Sequence, residues 1–120
     1  MQLVRHLSDL PHRRLARGSV VTIGSYDGLH PGHRHLLDRV AAEARARNVP
    51  SIVMSFEPTP KEFFSADVPP ARLMRFREKF DALRDHEVDL FYCPRFSESM
   101  RSITADAFIR QILVHGLNAT

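Results

Sequence analysis

The chain has 120 residues, 43% of them hydrophobic and 8% aromatic, which is enough for one folded core and typical of a globular protein. The single cysteine, Cys93, excludes an internal disulfide, and a net charge of +3 without a dense basic stripe argues against a nucleic-acid binder. No apolar run reaches the ~18 residues that a membrane span needs, and residues 1–10 lack a secretory signal, so we expect a cytoplasmic protein.

Three short apolar runs predict strands. Residues 1–18 mix apolar and basic positions and predict only a short lead-in. The runs 19–23, 51–56 and 89–93 lack polar alternation, which is typical of strands that are buried on both faces.

Each predicted strand is followed by a predicted amphipathic helix. The first carries apolar residues at Leu36, Leu37, Val40, Ala41 and Ala44 and ends at Asn48 and Pro50. The second is marked by Leu73, Phe76, Phe80 and Leu83, with its arginines and lysine on the outer face. The third begins at Thr104, presents Phe108, Ile109, Ile112 and Leu113, and ends at Gly116. Strands alternating with helices predict an α/β fold with right-handed crossovers, in which the three strands lie parallel in the order 3-2-1.

The connection from the first strand to the first helix concentrates glycine and histidine. It reads Gly24-Ser25-Tyr26-Asp27-Gly28-Leu29-His30-Pro31-Gly32-His33. Glycines allow backbone N–H groups to approach a ligand, and the positive end of a helix dipole favours an anion. Two imidazoles three positions apart could therefore hydrogen-bond phosphate oxygens at this helix end.

Two other interpretations of this connection stay open. It could be an ordinary β-to-α turn that carries surface histidines. It could also belong to a metal hydrolase that uses Asp27, His30, His33 and His35, although the glycines suit phosphate approach better than rigid metal ligation.

A long connection follows the second strand. It spans about 14 residues at the carboxyl edge of the predicted sheet, where connections of that length are usually functional. Phe63 and Phe64 could either cap the core or face a ligand.

The pattern Gly-x-x-Asp-Gly-x-His-x-Gly-His after a Val-Val-Thr-Ile strand resembles the adenylyltransferase module of the bacterial bifunctional riboflavin kinase/FAD synthetases. These belong to the His-x-Gly-His nucleotidyltransferase superfamily. Residues 55–60, 71–73, 77–79 and 104–113 resemble the same family in the same order. The resemblance implies a Rossmann-like nucleotidyltransferase sheet with helices on both faces that continues on the far side of the first strand. Residues 1–120 would then be the N-terminal part of an incomplete FMN adenylyltransferase domain, without the riboflavin kinase module.

The resemblance also implies an activity and a set of site residues. AMP would pass from ATP to FMN, giving FAD and pyrophosphate, with Mg²⁺ arriving on the triphosphate and no dedicated metal site. His30 and His33 would be the catalytic pair. The nucleotide would be bound by Gly24, Ser25, Tyr26, Asp27, Gly28 and Gly32, with Tyr26 standing where the family commonly has Phe. The flavin would be bound by Phe56, Pro58 and Pro60, and no nucleic-acid or membrane partner is expected.

Two alternative functions stay open at this point. Another nucleotidyltransferase of the superfamily could use a different phosphorylated acceptor, such as pantetheine phosphate, glycerol phosphate or nicotinamide mononucleotide. The segment Phe56-Glu57-Pro58-x-Pro60 argues against that alternative. The chain could instead bind a nucleotide without turnover, because half of a site can hold a triphosphate and fail to orient it.

Overall fold

A computed structural model describes residues 1–24, 31–56 and 76–120. Four strands in these ranges form one parallel sheet. The strands are β1 (Gln2–Val4), β2 (Val20–Ile23), β3 (Ser51–Met54) and β4 (Leu90–Tyr92). Their spatial order is β1-β4-β3-β2, so the predicted 3-2-1 order of the last three strands is confirmed.

The strand β1 corrects the prediction that residues 1–18 are only a lead-in. It pairs in parallel with β4 from Gln2 opposite Leu90 to Val4 opposite Tyr92. Only Val4 of this strand is buried. An edge strand of three residues with one core position is too short to show an alternation of apolar and polar residues, so the sequence pattern does not indicate it.

Helices cover both faces of the sheet, as predicted. They are α1 (Pro31–Arg47), α2 (Phe76–Asp85), α3 (Glu98–Ser102) and α4 (Ala105–Phe108), which continues as a π-helix over Ile109–Gly116. The helix α1 ends where predicted, with Asn48 in the left-handed region at φ 53°. None of the helices in the described ranges is long and apolar enough to cross a membrane.

The sheet divides the core into two apolar clusters. Val53 of β3 and Phe91 of β4 pack with Leu37 of α1 and Leu83 of α2 on one face. On the other face the π-helix and residues 4–15 pack against the remaining strand residues, which are Ile52, Met54, Leu90 and Tyr92. Every residue of β3 and β4 is buried, as expected for parallel strands covered on both faces.

The last helix departs from the predicted amphipathic pattern. Ile112 is buried as expected, but Ile109 is 51% exposed. The π geometry explains the difference, since the Leu117 N–H donates to the carbonyl of Ile112, five residues back, and the wider turn rotates the apolar stripe. Gly116 is also not a left-handed cap. A Cβ there would lie 2.8 Å from Cδ2 of Leu7, so close packing explains this glycine.

Residues 117–120 attach to the far side of β2. Ala119 forms a parallel bridge with Ser19, and the Thr120 N–H donates to the Ser19 carbonyl at 2.9 Å. The buried Ser19 hydroxyl donates to the Leu117 carbonyl at 2.6 Å, and Nδ2 of Asn118 donates to the Leu15 carbonyl at 2.6 Å. This seam lies on the side where the family resemblance predicts that the sheet continues.

We expect that replacing Gly18 destabilises the protein at this seam. Its φ is +113°, and a Cβ there would clash with the Cγ2 methyl of Thr120. We expect Gly18→Ala to lower the free energy of unfolding by about 1–3 kcal/mol, from backbone strain plus the clash. Urea denaturation followed by circular dichroism measures this difference. Adding Thr120→Ser should remove the clash and restore part of the loss. A Gly18→Ala variant as stable as the parent protein would contradict this role of Gly18.

The buried hydroxyl of Tyr92 should make stability fall at alkaline pH. Burial raises the pKa of Tyr92 from 10.0 to about 12. Because the unfolded chain releases this proton first, the free energy of unfolding is unaffected by this group below pH 10. It declines as the pH rises towards 12, by up to about 3 kcal/mol. Denaturation midpoints between pH 8 and 11 should fall more steeply for the parent protein than for Tyr92→Phe. Parallel pH profiles would refute the effect.

Candidate active site

The two long helices, α1 and α2, both begin at the same edge of the sheet. All four strands are parallel, so their carboxyl ends meet at this edge, and α1 and α2 run back from it. Arg5 follows β1 and holds its guanidinium carbon 5.8 Å from the ring centroid of Phe76, the first residue of α2. Phe76 stacks on Phe91 with centroids 5.9 Å apart. An exposed cation at this edge is therefore anchored to the core through two aromatic rings.

The glycine and histidine connection begins directly after β2. The Gly24 N–H donates to the Met54 carbonyl at 3.1 Å and so continues the β2–β3 ladder. The Gly24 N–H therefore serves the sheet and is not available to donate to a nucleotide. Residues 25–30, which include the predicted Ser25, Tyr26, Asp27, Gly28 and His30, lie outside the described residues, and Gly32 lies in the first turn of α1.

His33 is the predicted catalytic residue whose position the structure gives. It occupies the first turn of α1, is half-buried, and has its Nδ1 atom screened from solvent. Its ring therefore turns towards the protein at the carboxyl edge, where a helix N-terminus adds a positive potential. His35, two residues further on, is exposed. The His30–His33 geometry stays a prediction.

Phe56 contacts an aromatic residue that the sequence analysis missed. Phe56 follows β3 and Phe96 follows β4, and their rings meet edge to face with centroids 5.3 Å apart at 84°. Because neighbouring parallel strands deliver their next residues to the same edge, the positions of the two phenylalanines after their strands could have indicated this pair. Pro58 and Pro60, together with Phe63 and Phe64, lie outside the described residues.

Three buried polar residues lie on the α1/α2 side. Thr22, Ser55 and Lys79 are 9%, 0% and 2% exposed. Thr22 and Ser55 follow residues that pack on the opposite face, Val21 and Met54, so alternation turns them towards α1 and α2. Burial of Lys79 corrects the prediction that the lysine of the second helix is on its outer face. The sequence does contain an indication of this burial, because Lys79 lies four residues before Leu83, within the apolar stripe of α2.

A cavity of about 330 Å³ lies at the opposite end of α1 and α2. It is lined by Asp38, Ala41, Arg45, Asp85, His86 and Glu87. Arg45 contacts Glu87 at 3.2 Å, and Nδ1 of His86 lies 3.4 Å from Asp38. These two pairs join α1 to the end of α2, and His33 is not among the residues that line the cavity.

The chain as a whole also matches a known family. A family model described as FAD synthetase matches residues 12–120. The chain belongs to the FAD synthetase family.

Members of this family that resemble the chain are considerably longer. The chain is 44% identical over 117 residues to the bifunctional riboflavin kinase/FMN adenylyltransferase of Escherichia coli strain K12, covering 98% of the chain and 37% of the relative. It is 38% identical over 118 residues to the protein of the same name from Haemophilus influenzae, covering 38% of that relative. The chain thus spans a little over a third of the length of these relatives.

A solved structure shares the fold. The crystal structure of a macrolide-efflux protein from Streptococcus pneumoniae superimposes with a TM-score of 0.71 at 24% identity, covering 98% of this chain and 38% of that one. At this level of identity the likeness shows the fold alone, which is the parallel α/β arrangement described above.

Proposed function

We propose that the chain is part of an FMN adenylyltransferase, which transfers AMP from ATP to FMN and releases FAD and pyrophosphate. The observation that carries this proposal is the half-buried His33 in the first turn of α1, at the carboxyl edge of the sheet, in a chain of the FAD synthetase family. The curated relatives carry this activity in their names, which supports the same reaction here.

The reaction needs positioning and charge stabilisation more than covalent chemistry. A phosphate oxygen of FMN attacks the α-phosphorus of MgATP, a new P–O bond forms, and the bond to the bridging oxygen breaks as pyrophosphate leaves. Negative charge builds up on the transferred group and on the leaving pyrophosphate. Donors already held in place stabilise that charge without reorganising. In this proposal His33 and His30 are such donors, with the N–H groups of the first turn of α1 beside them.

The aromatic pair Phe56 and Phe96 is proposed to hold the flavin ring. The isoalloxazine system is flat and largely apolar, and ligands of this kind bind against rigid apolar side chains. The edge-to-face contact fixes both rings at the edge where the two neighbouring strands end. Pro58 and Pro60 are proposed to extend this wall.

The wider context is proposed by analogy with the named relatives. A riboflavin kinase module would accompany the adenylyltransferase in the whole protein, and FMN made there would be its substrate. We propose a cytoplasmic location and small-molecule substrates rather than nucleic acid. Mg²⁺ enters as part of MgATP, held mainly by phosphates and water.

Replacing both histidines should abolish FAD synthesis. Loss of one preorganised donor lowers turnover by about 10²–10³, so His30→Ala with His33→Ala should reduce the rate by at least that factor. The purified protein is assayed with ATP and FMN, and FAD and pyrophosphate are quantified by chromatography and a coupled assay.

His35→Ala is the matched control, because His35 lies on the same helix with an exposed side chain. It should retain the parent rate. Unchanged FAD formation in the double variant would refute the histidine roles. A parent protein that binds ATP by calorimetry but forms no FAD would favour a binding module, and preference for another phosphorylated acceptor would favour a different transferase.

Removing the ring of Phe96 should weaken flavin binding selectively. An aromatic contact contributes about 0.5–1.5 kcal/mol beyond burial, so Phe96→Leu should raise the KM for FMN by about two- to tenfold. The KM for ATP should stay unchanged, since leucine keeps the apolar volume. Steady-state kinetics with each substrate varied in turn measures both values. An equal rise in both would assign Phe96 to packing alone.

A further inference from the structure

Lys79 is buried to a degree that lysine rarely reaches. Only 2% of the residue is exposed, although Arg77 and Glu78 just before it in the helix are exposed. Withdrawing an ammonium group from water carries a large desolvation penalty, so lysine is almost never fully buried unless its charge is paired. The burial of Lys79 therefore calls for a functional explanation as well as a structural one.

The helix geometry places Lys79 at the level of His33. Leu37 of α1 and Leu83 of α2 pack in the same buried cluster beneath the sheet. His33 and Lys79 each precede these leucines by four residues, which is one helical turn of about 5.4 Å. Because both helices start at the carboxyl edge, that turn brings both residues towards this edge.

The strand residues on the same side are also polar at this level. Thr22 and Ser55 are buried there, and the Ser55 N–H donates to the Tyr92 carbonyl, so the strand end that carries it is fixed. Thr22, His33, Ser55 and Lys79 all have interaction partners in the structure. We call these four residues, of which three are buried and His33 is half-buried, the buried polar cluster. One helical turn further from the carboxyl edge, the corresponding positions of the two helices are the apolar residues Leu37 and Leu83.

The other buried polar residues have a structural explanation at the opposite edge. Ser51 donates to Oδ2 of Asp89 through its N–H at 2.9 Å and through its hydroxyl at 3.1 Å. Ser19 donates to the Leu117 carbonyl. These bonds join strand starts to neighbouring segments. Lys79 is the only buried lysine or arginine among the described residues, and it belongs to the buried polar cluster.

We propose that Lys79 is a positioning residue of the adenylyltransferase site. Its ammonium group holds the buried polar cluster behind His33 and supplies positive charge beneath the triphosphate of bound ATP. Water screens a buried charge little, so its field reaches the phosphates more strongly than that of a surface arginine. This inference rests on the proposed function for its substrate, ATP.

The test compares Lys79→Met with the parent protein. Methionine keeps the unbranched volume and removes the charge, so we expect the KM for ATP to rise about ten- to hundredfold, as for loss of a charged hydrogen bond. The KM for FMN should stay within about twofold of the parent value. The melting temperature should fall, because methionine leaves the buried polar partner of the ammonium group unsatisfied.

Two further variants make the result specific. Lys79→Arg keeps the charge and should restore most of the ATP affinity, while Lys79→Gln replaces Lys79→Met if that variant fails to fold. Arg77→Gln removes an exposed cation two positions away on the same helix and should change nothing. An ATP KM within twofold of the parent in Lys79→Met or Lys79→Gln would overturn the proposal, as would an arginine variant that is as impaired as the neutral ones.

ATP binding separates this inference from the proposed function. Isothermal titration calorimetry of ATP with the parent protein and Lys79→Met needs no turnover. If the parent protein forms no FAD, the adenylyltransferase proposal fails, yet weaker ATP binding in the variant would still support Lys79. If the parent protein forms FAD and both proteins bind ATP equally, only the inference about Lys79 is rejected.

Discussion

The parallel hydrogen-bond ladder of β2, β3 and β4 determines where every candidate residue lies. It extends beyond the strands themselves, since the Gly24 N–H donates to Met54 and the Ser55 N–H donates to Tyr92. Parallel neighbours can be joined only by crossovers, so each connecting helix must return along the sheet. The segments that leave the strands therefore meet at one edge, and His33, Phe56 and Lys79 belong to the segments that start there.

The central part of this arrangement could be predicted from sequence because its signals are strong. Three uninterrupted apolar runs and a four-turn amphipathic helix leave few alternatives to a parallel α/β sheet, and the order of these strands followed from right-handed crossovers. The glycine and histidine connection was recognisable because its spacing resembles a known family. The structure confirms that His33 lies in the first turn of α1, and its role stays a prediction.

The parts that escaped prediction depend on tertiary contacts. The strand β1 has one core residue, and it forms because its backbone pairs with the edge of β4. Ile109 was assigned to the core on a helical repeat that the π-helix does not follow. The charge of Lys79 predicts a surface position, but the residue lies within the apolar stripe of α2 and is buried. Phe96 needed the strand order before its contact with Phe56 could be recognised.

The two edges of the sheet use buried polar groups differently. At the amino edge, Ser51 and Asp89 satisfy each other, and Arg14 contacts the same carboxylate at 3.5 Å. Such reciprocal bonds stabilise the fold, because the polar groups of Ser51 and Asp89 bond to each other rather than to a ligand. At the carboxyl edge the polar residues lie under the helix end that presents His33. Natural sequences depart from a simple apolar core mainly at functional sites, and this asymmetry follows that rule.

The seam between Ser19 and residues 117–120 also has a consequence for synthesis of the protein. Ser19 and Leu117 are 98 positions apart, and Asn118 reaches back 103 positions to Leu15. At ribosomal speeds of about 5–20 residues per second, the early segment waits roughly 5–20 seconds for these partners. During that interval Ser19, at the start of β2, lacks its partners, and an unpaired strand edge can pair with other chains.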